Sequence, residues 1–229
     1  MQKRLIILLA TITILFITSI CFANALRFNG WTTLIIPGEV EFQIPPTMEV
    51  QGESYKALMK MYSPETYRGS YPEGSVKLMA QQKGLTDASH IAKNYFVRAT
   101  VQVTTDDSEP LFPKFGEPLG FSPEDMALLD DALIKGLNEG LNSPLTRNMR
   151  ILGITQHAEI VHIDGKEAVH FAYNSQNEGY PPVYNDIYMF YNRNKVYRVS
   201  TMIRSTEYAY WTQPRADVRN IVRTLQPLR

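Results

Sequence analysis

Hydrophobic and polar side chains first alternate at residues 39–44, where Val40, Phe42 and Ile44 interleave with Glu39, Glu41 and Gln43. A period of two places each set on one face of a strand, and Pro45-Pro46 ends it because proline has no N–H to donate. Val76–Gln81 reads as a second strand, and Tyr95, Val97, Ala99, Val101 and Val103 alternate over a third. Between residues 51 and 74 a short helix is expected around Ser54–Met61, followed by a loop rich in Pro, Gly and Tyr. Pro110, Pro113 and Pro118 exclude regular structure from residues 105–121, which read as a long surface loop.

The period then changes. Met126, Leu129, Leu133 and Leu137 form one apolar stripe, so residues 123–140 read as a helix. Ser122 is suited to the N-cap, Pro123 to the first helical position, and Asp125 completes an S-x-x-D capping arrangement. Two hairpins follow: Arg150–Ile163 with Lys166–Tyr173 around Asp164-Gly165, and Asp186–Tyr191 with Lys195–Ile203 around Asn192-Arg193-Asn194. The chain closes on a helix from about Arg215 to Leu225, with Val218, Ile221, Val222 and Leu225 on one face and Pro214 just before it. Hairpins make the late strands antiparallel, and striped helices cover sheets. The expected fold class is α+β, a mainly antiparallel sheet covered by helices.

Composition narrows the function classes. Basic and acidic residues number 23 each and 44% of the chain is hydrophobic. That excludes a disordered chain, and it argues against nucleic acid as a partner, because neutralising phosphates needs a surplus of cations. The first 25 residues stand apart. Lys3 and Arg4 precede an apolar run, Leu5–Ala23, which ends in Ala23-Asn24-Ala25. This is the layout of a secretory signal peptide cleaved after Ala25, with residues 26–229 forming one α+β domain. The rival reading is an uncleaved anchor, since about 20 apolar residues span a bilayer. Thr11, Thr13, Thr18 and Ser19 weaken that reading. Membrane contact is expected only through this segment. Cleavage would remove the one cysteine, Cys21, leaving no thiol, disulfide or cysteine metal ligand. The expected location is secreted or periplasmic.

Four segments carry a family resemblance: EVEFQIPPTMEV, HIDGKEAVHFAY, DIYMFYNRNKVYRVSTMI and the closing PRADVRNIVRTLQPL. Their order resembles that of the PsbP-like and DcrB-like α/β/α sandwich domains of exported bacterial proteins. The resemblance implies a PsbP-like sandwich and a non-catalytic accessory or binding role, with no cofactor. It rests on element order and carries no residue motif, so it assigns no site.

Three groups of residues are candidates for chemistry. If the Asp164-Gly165 turn has two residues, Ile163 faces Lys166, Glu159 faces His170, and His157 faces Ala172 diagonal to His170. His157, Glu159 and His170 would then share a face and suit a divalent metal or a proton transfer. If the turn has three residues with a bulge at Gly165, His162 faces Lys166 and His170 moves to the other face. The plainer alternative is a solvated sheet face with an ordinary His–Glu contact. Second, Tyr180, Tyr184 and Trp211 read as loop aromatics able to stack on a glycan or grip an envelope protein. The strand tyrosines fit sheet faces instead. Third, Asp106-Asp107 and Asp130-Asp131 are paired carboxylates, but adjacent helical side chains point about 100° apart. Asp130 and Asp131 are therefore expected to face solvent. So is the stripe of Arg215, Arg219 and Arg223, with Glu207 available to pair with one of them.

No G-x-S-x-G elbow, H-E-x-x-H, phosphate-cradling glycine loop or EF-hand pattern occurs. The leading expectation is a non-catalytic envelope binding protein. The alternatives are a hydrolase or metal-dependent enzyme built on His157, Glu159 and His170, and a structural or stress accessory protein with no small ligand. N-terminal sequencing of the protein from an expressing cell's envelope is expected to begin at Leu26; an intact N-terminus in the membrane fraction would identify an anchor instead.

Overall fold

The computed structural model describes residues 26–50, 76–83, 96–105, 112–141, 149–204 and 212–228. The leader, the Ser54–Met61 helix, Tyr95, Asp106-Asp107, Glu207 and Trp211 lie outside the described residues. The elements are β1 (Thr32–Ile36), β2 (Val40–Ile44), β3 (Met48–Val50), β4 (Val76–Gln82), β5 (Phe96–Thr105), α1 (Pro123–Leu141), β6 (Met149–Ile163), β7 (Lys166–Asn177), β8 (Val183–Asn192), β9 (Lys195–Arg204), α2 (Thr212–Thr224) and β10 (Gln226–Pro227). Seven strands form one antiparallel sheet in the order β3-β4-β5-β9-β8-β7-β6, and β1-β2-β10 form a smaller one. This is the α+β architecture that the alternation and stripes predict.

Alternation along the central strands sorts the core into two halves. On one face Val169, Phe171, Ile187, Met189 and Tyr191 pack against Met126, Leu129, Leu133 and Leu137, the predicted stripe of α1. The opposite face presents Ala168, Tyr188, Phe190, Tyr197 and Val199 to Ile221, Val222 and Leu225 of α2 and to Ile36, Val40 and Phe42 of the small sheet. The start of α1 has the expected reciprocal cap: the Asp125 N–H donates to Ser122 Oγ at 3.1 Å, and the Ser122 N–H to Asp125 Oδ2 at 2.9 Å. These bonds hold the Asp125 carboxyl below its usual range.

Several expectations need correction. β1, β3 and β10 are missing from the sequence reading: β1 (TTLII) does not alternate, three-residue β3 is too short to show a period, and two-residue β10 exists only because it pairs with β2. The second hairpin turns on Arg193-Asn194 alone, with Asn192 paired to Lys195 and Arg193 at φ 58°. α2 begins at Thr212, so Pro214 lies within its first turn, where its missing N–H has no helical acceptor to lose.

The C-terminal end of α2 is held by a buried cation. Lys166, 6% exposed, donates from Nζ to the Arg223 carbonyl at 2.6 Å and to the Leu225 carbonyl at 3.2 Å. These are carbonyls that the helix end leaves without internal donors, and a cation there suits the helix dipole. Burial pushes the Lys166 ammonium down to about 8, against the opposing pull of the Asp164 carboxylate. An unfolded lysine holds its proton to about 10.4. Between these values the unfolded chain binds more protons, so stability rises with pH. Relative to Lys166→Met, the wild type is expected to gain up to about 1.4 kcal/mol per pH unit from pH 8 to pH 9.5 in urea unfolding. A constant difference would contradict the burial of this charge.

Candidate functional site

The site begins at the turn between β6 and β7. Asp164 (φ 48°) and Gly165 (φ 75°) both adopt positive φ, which a two-residue type I′ turn requires. Ile163 therefore pairs with Lys166, and Glu159 faces His170, the first of the two registers weighed above. Tyr188 of β8 stands on the other side of His170, so Glu159, His170 and Tyr188 form a row across three strands. Asp186 joins them on the same face, one pleat along β8.

His170 is committed on every side. Its ring stacks on Tyr188 with centroids 4.5 Å apart and planes at 12°. Its Nε2 lies 2.5 Å from Asp186 Oδ1, and its Nδ1 lies 3.6 Å from Glu159 Oε1. Tyr188 donates its hydroxyl to Asp186 Oδ2 at 3.4 Å. Burial first, then the Asp186 carboxylate, pushes the Tyr188 phenol well above the usual tyrosine range, while Arg219 on α2 works the other way.

The expected trio of His157, Glu159 and His170 is not assembled. β6 carries a bulge between Gln156 and Glu159, so Gln156 rather than His157 pairs with Ala172. An extra residue in one strand leaves an N–H outside the ladder. Here Ala158 donates that N–H to Asp130 Oδ1 at 2.8 Å, and His157 Nδ1 meets Asp130 Oδ2 at 2.7 Å. Asp130 thus does not simply face solvent; it ties α1 to the bulge and holds His157 away from Glu159 and His170. Both ring nitrogens of His170 already face carboxylates. Among the described residues no group of three or more His, Cys, Asp or Glu could hold a metal ion.

The aromatic expectation divides similarly. Tyr180 is exposed at the turn between β7 and β8, and the Arg204 guanidinium stands 5.1 Å from its ring centre. Tyr184 is a half-buried strand residue of β8 opposite Asn174 and Ile203, not a loop residue.

A cleft of about 610 Å³ opens between edge strand β6 and helix α2. Glu159, His170 and Tyr188 line its sheet side, and Arg219, Val222 and Arg223 line its helix side. Asp164 at the turn tip accepts from Arg223 Nε at 2.7 Å and Nη2 at 3.2 Å, latching the hairpin to α2. The pair shifts both groups as a salt bridge should: the Asp164 carboxyl goes down and the Arg223 guanidinium up. Arg223 is therefore not the water-facing stripe residue expected. Tyr188, Asp186 and Arg219 were missed as site residues, because only the β7–β8 register and the crossing of α2 bring them to His170.

The comparisons with known proteins add fold likeness alone. No family model and no curated protein matches the chain. Among solved structures, it is similar to cyanobacterial PsbP from Synechocystis sp. PCC 6803, at 12% identity and TM-score 0.45, covering 90% of this chain and 97% of that one. It is also similar to LpqN of Mycobacterium tuberculosis, described as involved in cell envelope biogenesis, at 11% identity and TM-score 0.41, covering 87% and 91%. A Bacteroides thetaiotaomicron protein matches at 11% identity and TM-score 0.44 over 87% of this chain; the chain spans about half (49%) of that protein's length. One of these neighbours is a PsbP protein, and the architecture itself stands on the strand order and register described above.

His170→Ala is expected to lower the unfolding free energy by about 3 kcal/mol, because buried Asp186 loses its imidazole partner. Glu159→Gln, half exposed, should change it by less than about 1 kcal/mol. Urea denaturation measures both; equal losses would contradict the distinction between the two carboxylates.

Proposed function

We propose that the protein is a non-catalytic extracytoplasmic binding or accessory protein, and that its ligand site is the cleft between β6 and α2. One observation carries this reading. The cleft has the volume of a small-molecule site, commonly about 300–1,000 Å³, yet His170 and Tyr188 on its sheet side are engaged with Asp186 rather than freed for reaction. No Ser, Thr, Cys or Lys side chain lines it among the described residues. His170 is flanked by carboxylates at both nitrogens, and the Tyr188 phenol is held protonated. Groups arranged in this way recognise a ligand; they do not attack one. The extracytoplasmic part of the reading rests on the signal-like segment Lys3–Ala25. Among the described residues no helix is long and apolar enough to cross a membrane.

The test is an amide NMR titration of the full chain with a fragment set of monosaccharides, amino acids, short peptides and dicarboxylates. Shifts clustered at Glu159, His170, Tyr188 and Arg219, with the fragments recovered unchanged, are expected. Chemical turnover of any fragment would favour an enzyme. Silence at those residues across the set would favour a structural accessory role with no small ligand.

A further inference from the structure

Among the described residues two charges in the cleft, of opposite sign, are at most weakly partnered. Arg219 projects from α2, is exposed, and makes no ion pair or hydrogen bond among the described residues. Its neighbour one turn on, Arg223, is occupied by Asp164, so the two arginines are not equivalent. On the facing wall, the Glu159 side chain is 49% exposed. Its one described contact is the 3.6 Å approach to His170 Nδ1, longer than an ordinary hydrogen bond. His170 in turn is held closely by Asp186, at 2.5 Å, which leaves Glu159 the weaker claim on the imidazole. Glu159 and Arg219 do not pair with each other, although both line the same space. The lining also includes Val161, Val222 and the stacked rings of His170 and Tyr188.

We propose that the cleft takes a small zwitterion: an ammonium group against Glu159, a carboxylate against Arg219, and a short apolar body over the valines and rings. The proposal rests on the reading of the cleft as a ligand site. A lone anion would satisfy Arg219 but face Glu159, and a lone cation the reverse. Only a ligand with both charges satisfies both walls, and the bidentate fork of a guanidinium suits a carboxylate. The same pair of end groups occurs in a free amino acid and at the two termini of a short peptide.

The experiment titrates the full chain with L-leucine, dialanine, N-acetyl-dialanine, dialanine amide and the doubly capped N-acetyl-dialanine amide, following the amides of Glu159, His170, Tyr188 and Arg219. A zwitterion, either leucine or dialanine, is expected to bind at least about tenfold more tightly than any capped form. Stronger binding of leucine identifies an amino-acid site, and stronger binding of dialanine a peptide site. Arg219→Gln should erase the preference for a free carboxylate and leave that for a free ammonium; Glu159→Gln should do the reverse. Both positions are exposed or half exposed, so the variants are expected to fold. Capped and uncapped peptides binding alike at these residues would overturn the zwitterion and leave the cleft as a site. So would fragments of other classes shifting the cleft residues while leucine and dialanine do not. Silence of every fragment and peptide at the cleft would overturn the site itself.

Discussion

Both residues of the turn between β6 and β7 have positive φ, a conformation open to Asp and Gly and costly for most others. That local constraint sets the position of everything else in the cleft. A turn of two residues pairs Glu159 with His170; one more residue in the turn would carry His170 through the sheet to the α1 face. The same turn aims the Asp164 carboxylate at Arg223 and places Lys166 under the last carbonyls of α2. Helix and hairpin are thus joined by a surface salt bridge and a buried ammonium on either side of one turn. The cleft is the space left between them further along β6.

The two faces of the sheet do different work. The α1 face is an apolar interface with a polar fastening at its edge, where Asp130 satisfies the N–H released by the bulge at Ala158. The α2 face mixes a core with a polar row, and Asp186 is buried there only because His170 and Tyr188 supply donors to its carboxylate oxygens. A buried charge without such partners would cost several kcal/mol, so the row holds its shape with or without a ligand. Glu159 and Arg219, at the open side, are under no such constraint.

Much of the architecture was legible in the chain. Alternation located β2, β4, β5 and the hairpin strands, and the Met126–Leu137 stripe located α1 and its buried side. Asp164-Gly165 pointed to a hairpin but left two registers open, because the dipeptide suits a two-residue turn and a bulged three-residue one alike. Glu159 opposite His170 followed once the register was known. His157 did not follow: its displacement needs a bulge stabilised by Asp130 on a distant helix, and nothing in the local run HAEI signals it. Tyr188, Asp186 and Arg219 were equally out of reach. The first two depend on pairing across the connection of residues 178–182, and the third on where α2 crosses the sheet. The basic stripe was visible, but whether an arginine meets water or a turn carboxylate is decided by tertiary packing.

The register itself can be measured without reference to any ligand. Antiparallel pairs alternate between hydrogen-bonded and non-hydrogen-bonded, and in the latter the Cα atoms approach to about 4.5 Å. With Ile163 and Lys166 closing a two-residue turn, His162/Glu167 and Ile160/Val169 are the close pairs. A nuclear Overhauser spectrum should therefore show strong Hα–Hα cross-peaks between His162 and Glu167 and between Ile160 and Val169. Cross-peaks linking Val161 to Glu167 and Glu159 to Val169 in their place would mean a three-residue turn, His170 on the other face, and no cleft of the kind described.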